Sequence, residues 1–328
     1  MTTFPRPLVS VVIPTYGRPD LLERCLDAVM AQSLPASAYE VIVCDDGPSE
    51  AVDALVRRKS AGMPAGPALR YCAVRATQGP AGARNAGWQM ALAPLIAFTD
   101  DDTVPTRDWL VNGLEAMKDG AGAAAGRIVM PLPERATDSQ RDAARLQQAE
   151  FVTANCFVRV EALRAVGGFD ERYTIAWRED SDLHFALLER GFEVIRADAA
   201  VVLHPLRDAP FAAGIGSQRK IMFDVLLYRK YPKLYRQRIR AHWPWLYLAI
   251  SACLIVAAVS FLAGRHGLAL AAALAWLLLS TFLFFRRLSG SAPTLRNLGE
   301  LLLTTAVIPP LSIYWRLRGA SRFGPALP

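Results

Sequence analysis

Apolar and polar residues along the first hundred positions follow two alternating periods. The β-branched run at 8–13 is typical of a buried parallel strand, and apolar residues at helical spacing predict a helix over 19–31. The same pairing recurs, with strands at 40–44, 70–74 and 95–99 and helices at 50–60 and 83–91. Strands that alternate with helices at this spacing predict an α/β fold with an open, mostly parallel sheet.

The regular pattern weakens after residue 126. We predict strands at 155–158 and 201–204, a polar helix over 138–150 and a helix over 182–190. A further predicted helix, over 217–228, carries apolar residues beside Arg219 and Lys220. This pattern is typical of a helix that lies on a bilayer surface.

The C-terminal part of the chain holds two long uncharged apolar runs. Residues 244–263 and 268–285 each approach the ~20 residues that a helix needs to cross a bilayer. Two buried helices of a soluble protein are the alternative, but runs of ~10 to 14 apolar residues suit that role better. We therefore predict two transmembrane helices, joined by a tight turn at 264–267.

A third apolar stretch, at 298–315, is interrupted by Pro309 and Pro310. It is followed by three arginines, Arg316, Arg318 and Arg322. Because Lys and Arg are retained on the cytoplasmic side, a third crossing would place these charges on the opposite side. We predict that this stretch is interfacial or re-entrant.

Charge is distributed unevenly along the chain. Residues 217–242 hold eight Lys or Arg and one acid, whereas residues 1–216 carry a net charge of −6. A basic block beside an apolar span favours an anionic membrane surface as its partner, since each Lys or Arg gains roughly 1 kcal/mol there. Nucleic-acid binding is the other explanation of a basic run. The acidic globular part argues against it, and we expect no nucleic-acid partner.

These patterns divide the chain into three expected regions, a globular domain at 1–216, a basic juxtamembrane segment at 217–242 and a membrane anchor at 243–328. Five cysteines form no CxxC pair, as expected for reduced thiols in the cytosol. The apolar run at 8–14 is too short for a signal peptide. We expect a multi-pass protein of the inner, cytoplasmic membrane, with its globular domain in the cytoplasm.

Polar clusters follow three of the predicted strands. The first strand leads into Pro14, Thr15, Tyr16 and Arg18, the second into Asp45 and Asp46, and the fourth into Asp100, Asp101 and Asp102. In open α/β sheets, ligands bind outside the carboxyl ends of the strands. These clusters therefore predict a nucleotide site at one edge of the sheet.

The three consecutive aspartates are candidates for metal binding. Like charges repel unless a cation neutralises them, and an oxygen site suits Mg²⁺ or Mn²⁺ that bridges a diphosphate. A solvated turn that caps the helix near Arg107 explains the triplet equally well. His204 ends an apolar strand and is either a structural histidine or a metal ligand.

A glycine-rich segment at 79–87 opens a helix. It offers backbone N–H groups and the Arg84 guanidinium to a diphosphate. It matches neither the P-loop nor the dinucleotide fingerprint. An ordinary loop before a helix is the alternative.

Four charged residues lie at 178–182, directly after Trp177. A carboxylate shielded by Trp177 would have a raised pKa and would accept a proton from an acceptor hydroxyl. Helix capping by Ser181, with acids in the first turn, is the alternative. Capping explains Asp182 better than it explains Glu179 and Asp180.

Five motifs in this order resemble the inverting family-two glycosyltransferases, whose GT-A fold is a Rossmann-like nucleotide-sugar domain. They read VSVVIPTYGRPDLLERCLDAV, VIVCDDG, GPAGARNAGW, LIAFTDDDTVPTRDWL and GGFDERYTIAWREDSDLHFALLERG. The likeness covers about residues 8–205. It implies a GT-A domain, followed here by transmembrane helices.

The resemblance also implies a role for each candidate residue. The nucleobase and ribose would be bound by Thr15, Tyr16 and Asp45, and the remaining donor contacts would come from Pro14, Arg18, Asp46, Arg84, Asp100 and Asp101. Asp102 would bind the metal, together with Asp100 and the candidate ligand His204. Asp180 would be the catalytic base, with Glu179 beside it. The acceptor side would be formed by Gly168, Phe169, Asp170, Trp177 and Arg178.

The implied reaction moves one sugar from a nucleotide diphosphate to a lipid-linked or membrane-proximal acceptor, with inversion and with Mn²⁺ or Mg²⁺ on the leaving diphosphate. The QxxRW motif of processive synthases is absent, which favours transfer of a single sugar. Three alternatives stay open, namely transfer to polyprenyl phosphate, a nucleotide-binding scaffold without turnover, and sugar nucleotidyl transfer.

Overall fold

The central strand, β1 (Val9–Thr15), is buried along its whole length because its side chains point into two core layers. Val11 and Ile13 belong to one layer, and Val12 belongs to the other. A strand buried on both faces needs covering elements on each side of the sheet. The computed structural model that shows this arrangement describes residues 6–328.

Seven further strands complete the sheet. They are β2 (Tyr39–Asp45), β3 (Ala68–Ala73), β4 (Leu95–Thr99), β5 (Val104–Pro105), β6 (Ala123–Val129), β7 (Asn155–Arg159) and β8 (Val194–Leu203). The spatial order is β3-β2-β1-β4-β7-β6-β8-β5. The first four strands are mutually parallel, as the sequence predicts, whereas β7 runs antiparallel to β4 and β6. The sheet is therefore mixed.

Sequence reasoning missed β6, which pairs in parallel with β8. It begins with three alanines and a glycine, and its β-branched residues, Ile128 and Val129, come only at its end. Tertiary pairing decides its conformation. The same pairing explains why β8 begins at Val194, although only residues 201–204 were predicted as a strand.

Six helices cover this sheet. They are α1 (Pro19–Met30), α2 (Glu50–Gly62), α3 (Pro80–Met90), α4 (Trp109–Ala116), α6 (Val160–Val166) and α7 (Glu179–Glu189). The predicted start of the last helix, residue 182, was wrong by three residues. Arg178 precedes α7 in a left-handed conformation and no side chain caps the helix, so Ser181 is not its cap.

The chain folds as two compact units. The sheet unit contains residues 6–131 and 145–205, and the second unit contains residues 132–144 and 206–328. The second unit contains α5 (Asp138–Ala144), α8 (Ala213–Gly216), α9 (Met222–Lys230), α10 (Pro232–Arg238), α11 (Trp245–Leu262), α12 (His266–Leu288) and α13 (Leu295–Phe323). The helix predicted over 138–150 thus ends at Ala144, and a short 3₁₀ turn follows it.

Three of these helices, α11, α12 and α13, are long and apolar enough to cross a membrane. Most apolar side chains of α11 and α12 are exposed, which is compatible with membrane association. The expected interruption at Pro309 and Pro310 was wrong, since α13 continues through both. Proline lacks the N–H of the helical hydrogen bond, but its fixed φ is compatible with a helix. The predicted interfacial location of this stretch remains a prediction.

Candidate active site

Five elements of the sheet unit carry the predicted polar residues of the site. The carboxyl ends of β1, β2 and β4 carry the three clusters, α3 carries Arg84, and α7 begins with Glu179 and Asp180. Pro14 and Thr15 lie within β1 itself, and Pro14 is paired in register with Cys44. Long-range side-chain contacts join these positions.

Arg84 is the centre of the arrangement. Its side chain is buried and donates to Asp100 Oδ1 (2.6 Å) and to Glu179 Oε1 (3.2 Å). The ring of Phe169 lies 5.8 Å from the guanidinium carbon. The Nε of Arg84 is buried without a hydrogen-bond partner among residues 6–328. Arg84 therefore links α3, the end of β4 and the first turn of α7, and retains one unused donor.

Glu179 and Asp180 form a pair of carboxyl groups with raised pKa values. Burial and then the charge of Asp180 raise the pKa of Glu179, the charge of Arg84 opposes both, and the resulting pKa is about 7. Burial also raises the pKa of Asp180, against the Ser181 N–H that donates to it. Glu179 Oε2 is buried without a hydrogen-bond partner within the described part of the chain. The pair therefore provides a carboxylate able to accept a proton near neutral pH.

The three consecutive aspartates point in different directions. Asp101 is fully buried, accepts from Thr15 Oγ1 (2.7 Å) and forms an ion pair with Arg18 (2.9 Å). Asp100 faces Arg84, and Asp102 lies beside His204. Thr15 and Arg18, expected to contact the donor, thus hold the aspartate loop against the end of β1.

Asp102 and His204 are the residues that fit a metal. His204 Nε2 lies 3.7 Å from Asp102 Oδ1, and His204 Nδ1 is buried without a hydrogen-bond partner among residues 6–328. Within the same residues, no group of three or more His, Cys, Asp or Glu could hold a metal alone. Mg²⁺-type sites commonly use one or two protein ligands and take the rest from phosphate and water. A carboxylate and an imidazole therefore suit a cation that binds with a diphosphate, while Asp100 is held by Arg84.

The turn after β2 is organised by its two aspartates. Asp45 is buried and accepts from the N–H groups of Gly47 (3.2 Å) and Ser49 (3.0 Å) and from Tyr71 OH (3.0 Å). Asp46 accepts from the Gly79 N–H (2.7 Å), which ties this turn to the glycine-rich segment. Burial raises the pKa of Asp46.

Tyr16 is the aromatic residue beside this turn. Its side chain is 66% exposed, and a Cβ on Gly47 would lie 2.6 Å from its ring. The ring therefore rests on the Gly47 backbone, and its other face is open for stacking.

Asn85 is a site residue that sequence reasoning missed. Its Oδ1 accepts from the Phe169 N–H (2.9 Å), and its Nδ2 donates to the Phe169 carbonyl (2.9 Å). Gly168 has φ 75°, and a Cβ there would lie 2.6 Å from Asn85 Oδ1. Asn85 thus fixes the Gly168 and Phe169 backbone next to Arg84. The sequence feature that could have identified Asn85 is its position, since it is a polar residue directly after Arg84.

The other residues assigned to the acceptor side contact their sequence neighbours. Arg172 makes an ion pair with Asp170 (2.6 Å). The guanidinium carbon of Arg178 lies 4.5 Å from the centre of the Trp177 ring. The ring of Phe169 reaches the Arg84 guanidinium.

The fold and this site together define a GT-A domain. The model of "Glycosyl transferase family group 2" matches residues 95–317, and that of "Glycosyl transferase family 2" matches residues 10–169. The chain belongs to the family-two glycosyltransferases. This membership supports transfer of a sugar from a nucleotide-sugar donor.

Two of three similar curated proteins carry the name of a glycosyltransferase or glucosyltransferase. Glycosyltransferase AglE of Haloferax volcanii is 28% identical over 66% of this chain and 72% of its own length. Validoxylamine A glucosyltransferase of Streptomyces hygroscopicus is 28% identical over 56% of this chain and 52% of its own. Succinoglycan biosynthesis protein ExoO of Rhizobium meliloti is 34% identical over 47% of this chain and 44% of its own. The chain thus spans about half the length of the latter two.

A solved structure shows the same fold. Mannosyltransferase PcManGT from Pyrobaculum calidifontis, in complex with GDP-Man and Mn²⁺, superposes with a TM-score of 0.56 at 20% identity. The match covers 97% of this chain and 87% of the mannosyltransferase. The GT-A fold predicted from the sequence is confirmed.

Proposed function

We propose that this chain transfers a single sugar from a nucleoside diphosphate to a hydroxyl of a lipid-linked or other membrane-held acceptor, with inversion at the anomeric carbon. It does so as a multi-pass protein of the cytoplasmic membrane, with the sheet unit in the cytoplasm. The regions 1–216, 217–242 and 243–328 would serve as transferase domain, juxtamembrane segment and anchor.

The observation that carries this proposal is the buried link Asp100, Arg84 and Glu179. It connects the loop that would meet the donor diphosphate to the carboxyl pair that would meet the acceptor. A transferase needs both groups at fixed separation, because the acceptor oxygen must approach the anomeric carbon opposite the leaving group. A scaffold that only binds nucleotide has no use for the second group.

Each residue of the candidate site has a part in the proposed reaction. Tyr16 stacks on the nucleobase, and the Arg84 guanidinium and the N–H groups at the start of α3 face the diphosphate. Asp102 and His204 would hold Mn²⁺ or Mg²⁺, with Asp100 nearby; the cation supplies charge stabilisation for the leaving diphosphate. Asp180 accepts the acceptor proton as the acceptor oxygen attacks, and Glu179 keeps Arg84 in place.

The raised pKa values favour a hydroxyl acceptor over a lipid phosphate. A hydroxyl must lose a proton during attack, whereas a phosphate oxygen is already ionised and needs no base. A buried carboxyl pair with a pKa about 7 in one member is of use in the first case only. Product analysis with bare lipid phosphate and with a lipid-linked saccharide would separate the two.

The donor is best tested by thermal shift of the detergent-purified protein with UDP, dTDP or GDP, each with and without Mn²⁺. The GDP-Man and Mn²⁺ bound to the solved mannosyltransferase support including GDP. Stabilisation by one nucleotide that depends on Mn²⁺ would support the proposed donor site. No shift with any nucleotide would contradict it.

A further inference from the structure

The longest helix of the second unit, α13, is accompanied along its length by the segment 209–225. The two segments run in the same direction, with residue 209 beside the start of α13 and residues 222–225 beside its far half. Along α13 they pair Arg296 with Ala209, Gly299 with Phe211, Ile308 with Gly214, Arg316 with Asp224, and Gly319 with Met222 and Val225. From Arg296 to Gly319 the helix rises about 35 Å, which exceeds the ~30 Å hydrocarbon core of a bilayer.

Because residues 209–225 accompany α13, they would have to enter the bilayer with it if α13 crossed the membrane. If α13 spanned a bilayer, the residues beside Ile308 would lie near its centre, and they continue into the 3₁₀ helix Ser217–Ile221 with Arg219 and Lys220. Each such charge costs about 3 kcal/mol at that depth. The irregular backbone around Gly214 and Gly216 would also need internal hydrogen-bond partners there. A crossing of α13 is therefore unfavourable.

A second set of contacts places α13 at the end of α12. Arg287, in the last turn of α12, donates to Thr304 Oγ1 of α13 (2.9 Å) and to Asp138 of α5 (2.7 Å). Buried Asp224 and Arg316, 3.5 Å apart, join α9 to the far half of α13. One half of α13 thus contacts the last turn of α12, and the other half contacts α9, which precedes α11 in the chain.

The exposed surface of α13 indicates what lies against it. Leu295, Leu302, Tyr314 and Leu317 form an exposed apolar stripe along one face. Arg296, Arg318 and Arg322 are exposed on the adjacent strip of the helix. An apolar face bordered by arginines is the pattern of a helix embedded among anionic headgroups.

We infer that α13 lies along the membrane surface, on the side where α11 begins and α12 ends. Residues 209–225 cover its inner face, and the stripe Leu295, Leu302, Tyr314 and Leu317 inserts into an anionic leaflet. This inference rests on the membrane anchoring proposed above. It makes α11 and α12 the two spans and α13 a lipid-contacting platform.

Sidedness tests the inference in the full-length chain. Arg265→Cys, in the turn between α11 and α12, and Ser321→Cys, near the end of α13, would be treated with a membrane-impermeant maleimide in inverted and right-side-out vesicles. The parent chain, treated in the same way, gives the background labelling of the native cysteines. We expect Ser321→Cys to react only in inverted vesicles and Arg265→Cys only in right-side-out ones.

Two other outcomes have distinct meanings. Labelling of both positions from the same side would overturn the inference and leave membrane anchoring intact. Release of the parent protein from vesicles by alkaline carbonate would contradict the anchoring itself, and with it both proposals.

Depth provides an independent test. Spin labels at positions 302, 306, 314 and 317 would be probed with lipid-soluble oxygen and a water-soluble nickel chelate in vesicles containing one-third anionic lipid. A uniform depth supports an in-plane helix. A progressive change, about 22 Å between positions 302 and 317, would overturn it. Protection from both probes would mean that protein covers this face, and would overturn the lipid contact.

Discussion

Arg84 connects three elements of the candidate site, α3, the end of β4 and the start of α7. Its guanidinium meets Asp100 and Glu179, and a buried guanidinium is stable only with such counter-charges. Its charge lowers the pKa of Glu179 and of Asp180, while burial raises both. Arg84 therefore influences both the position and the ionisation of the carboxyl pair.

Replacing the proposed base isolates its contribution. Asp180→Asn keeps the size of the side chain but accepts no proton, and we expect kcat to fall by about 10² to 10⁴ with donor affinity unchanged. Steady-state kinetics and nucleotide binding measure the two effects. Asp198→Asn, at an exposed position of β8, is the matched control and should keep parental kcat. Parental turnover in Asp180→Asn would exclude the base role.

The pH profile should report the raised pKa values. The base must be ionised, so the rate should rise with pH through the pKa of the pair, well above the ordinary aspartate value of about 3.9. Arg84→Gln removes the charge that lowers both pKa values and should move this acid limb to higher pH. The measurement is kcat/KM against pH. An acid limb at the ordinary aspartate pKa, or a shift to lower pH in Arg84→Gln, would contradict this account.

Asp102 should control the metal dependence of donor binding. Asp102→Ala removes the carboxylate beside His204, so the affinity gained by adding Mn²⁺ should be largely lost. Titration calorimetry with and without Mn²⁺ measures this gain. Asp108→Ala, exposed in the same connection before α4, should retain it. Equal donor affinity for Asp102→Ala and the parent in Mn²⁺ would refute the proposed metal contact.

At the scale of elements, the start of α7 determines where the carboxyl pair lies. Because the helix begins at Glu179, both acids fall in its first turn, and the turn is made possible by Arg178 at φ 76°. A left-handed conformation costs a non-glycine residue about 1–2 kcal/mol. Strain of this kind is found at functional positions that the surrounding structure holds in place.

A pair of variants separates this strain from the loss of the Arg178 side chain. Arg178→Gly and Arg178→Ala both remove the guanidinium that lies over Trp177, but only glycine relieves the backbone. After the entropy that glycine loses on folding, we expect Arg178→Gly to be more stable than Arg178→Ala by about 0.5–1 kcal/mol. Thermal unfolding in detergent compares them, and equal midpoints would argue against strain at Arg178.

At the scale of the whole chain, the second unit is not continuous in sequence. Residues 132–144 leave the sheet unit and belong with residues 206–328. There the Ala292 N–H donates to the Ala136 carbonyl, Asn297 accepts from the Asp138 N–H, and Arg141 donates to the Ser289 carbonyl. The segment 132–144, which contains α5, thus depends on residues more than a hundred positions later in the chain.

A truncation tests this dependence. A chain ending at residue 205 lacks these three partners of residues 132–144, so trypsin should cut at Arg135 and Arg141 much faster than in the full-length protein. Each 1.4 kcal/mol of lost local stability increases opening about tenfold. Arg57 and Arg58 in α2 are the internal control and should be cut at similar rates in both. Unchanged cleavage at Arg141 would contradict the role of the later helices.

Several features of this protein follow from the sequence by itself. The four parallel strands, the apolar helices α11 and α12, and the ordered motifs of the family are visible because each depends on side-chain periodicity, run length or residue type within a short window. The same local signals placed Asp45, Asp100 and Asp180 at strand or helix ends. These predictions needed no knowledge of which elements pack together.

Other features were decided only by the tertiary structure. Arg84 meets Asp100 and Glu179, which lie 16 and 95 positions away, and Asp101 turns inward to Thr15 rather than outward to a ligand. The alanine-rich β6 is a strand because β7 and β8 supply its hydrogen bonds. The physical reason is the same in each case. Burial forces polar groups to find partners, and which partners are near depends on packing between distant segments.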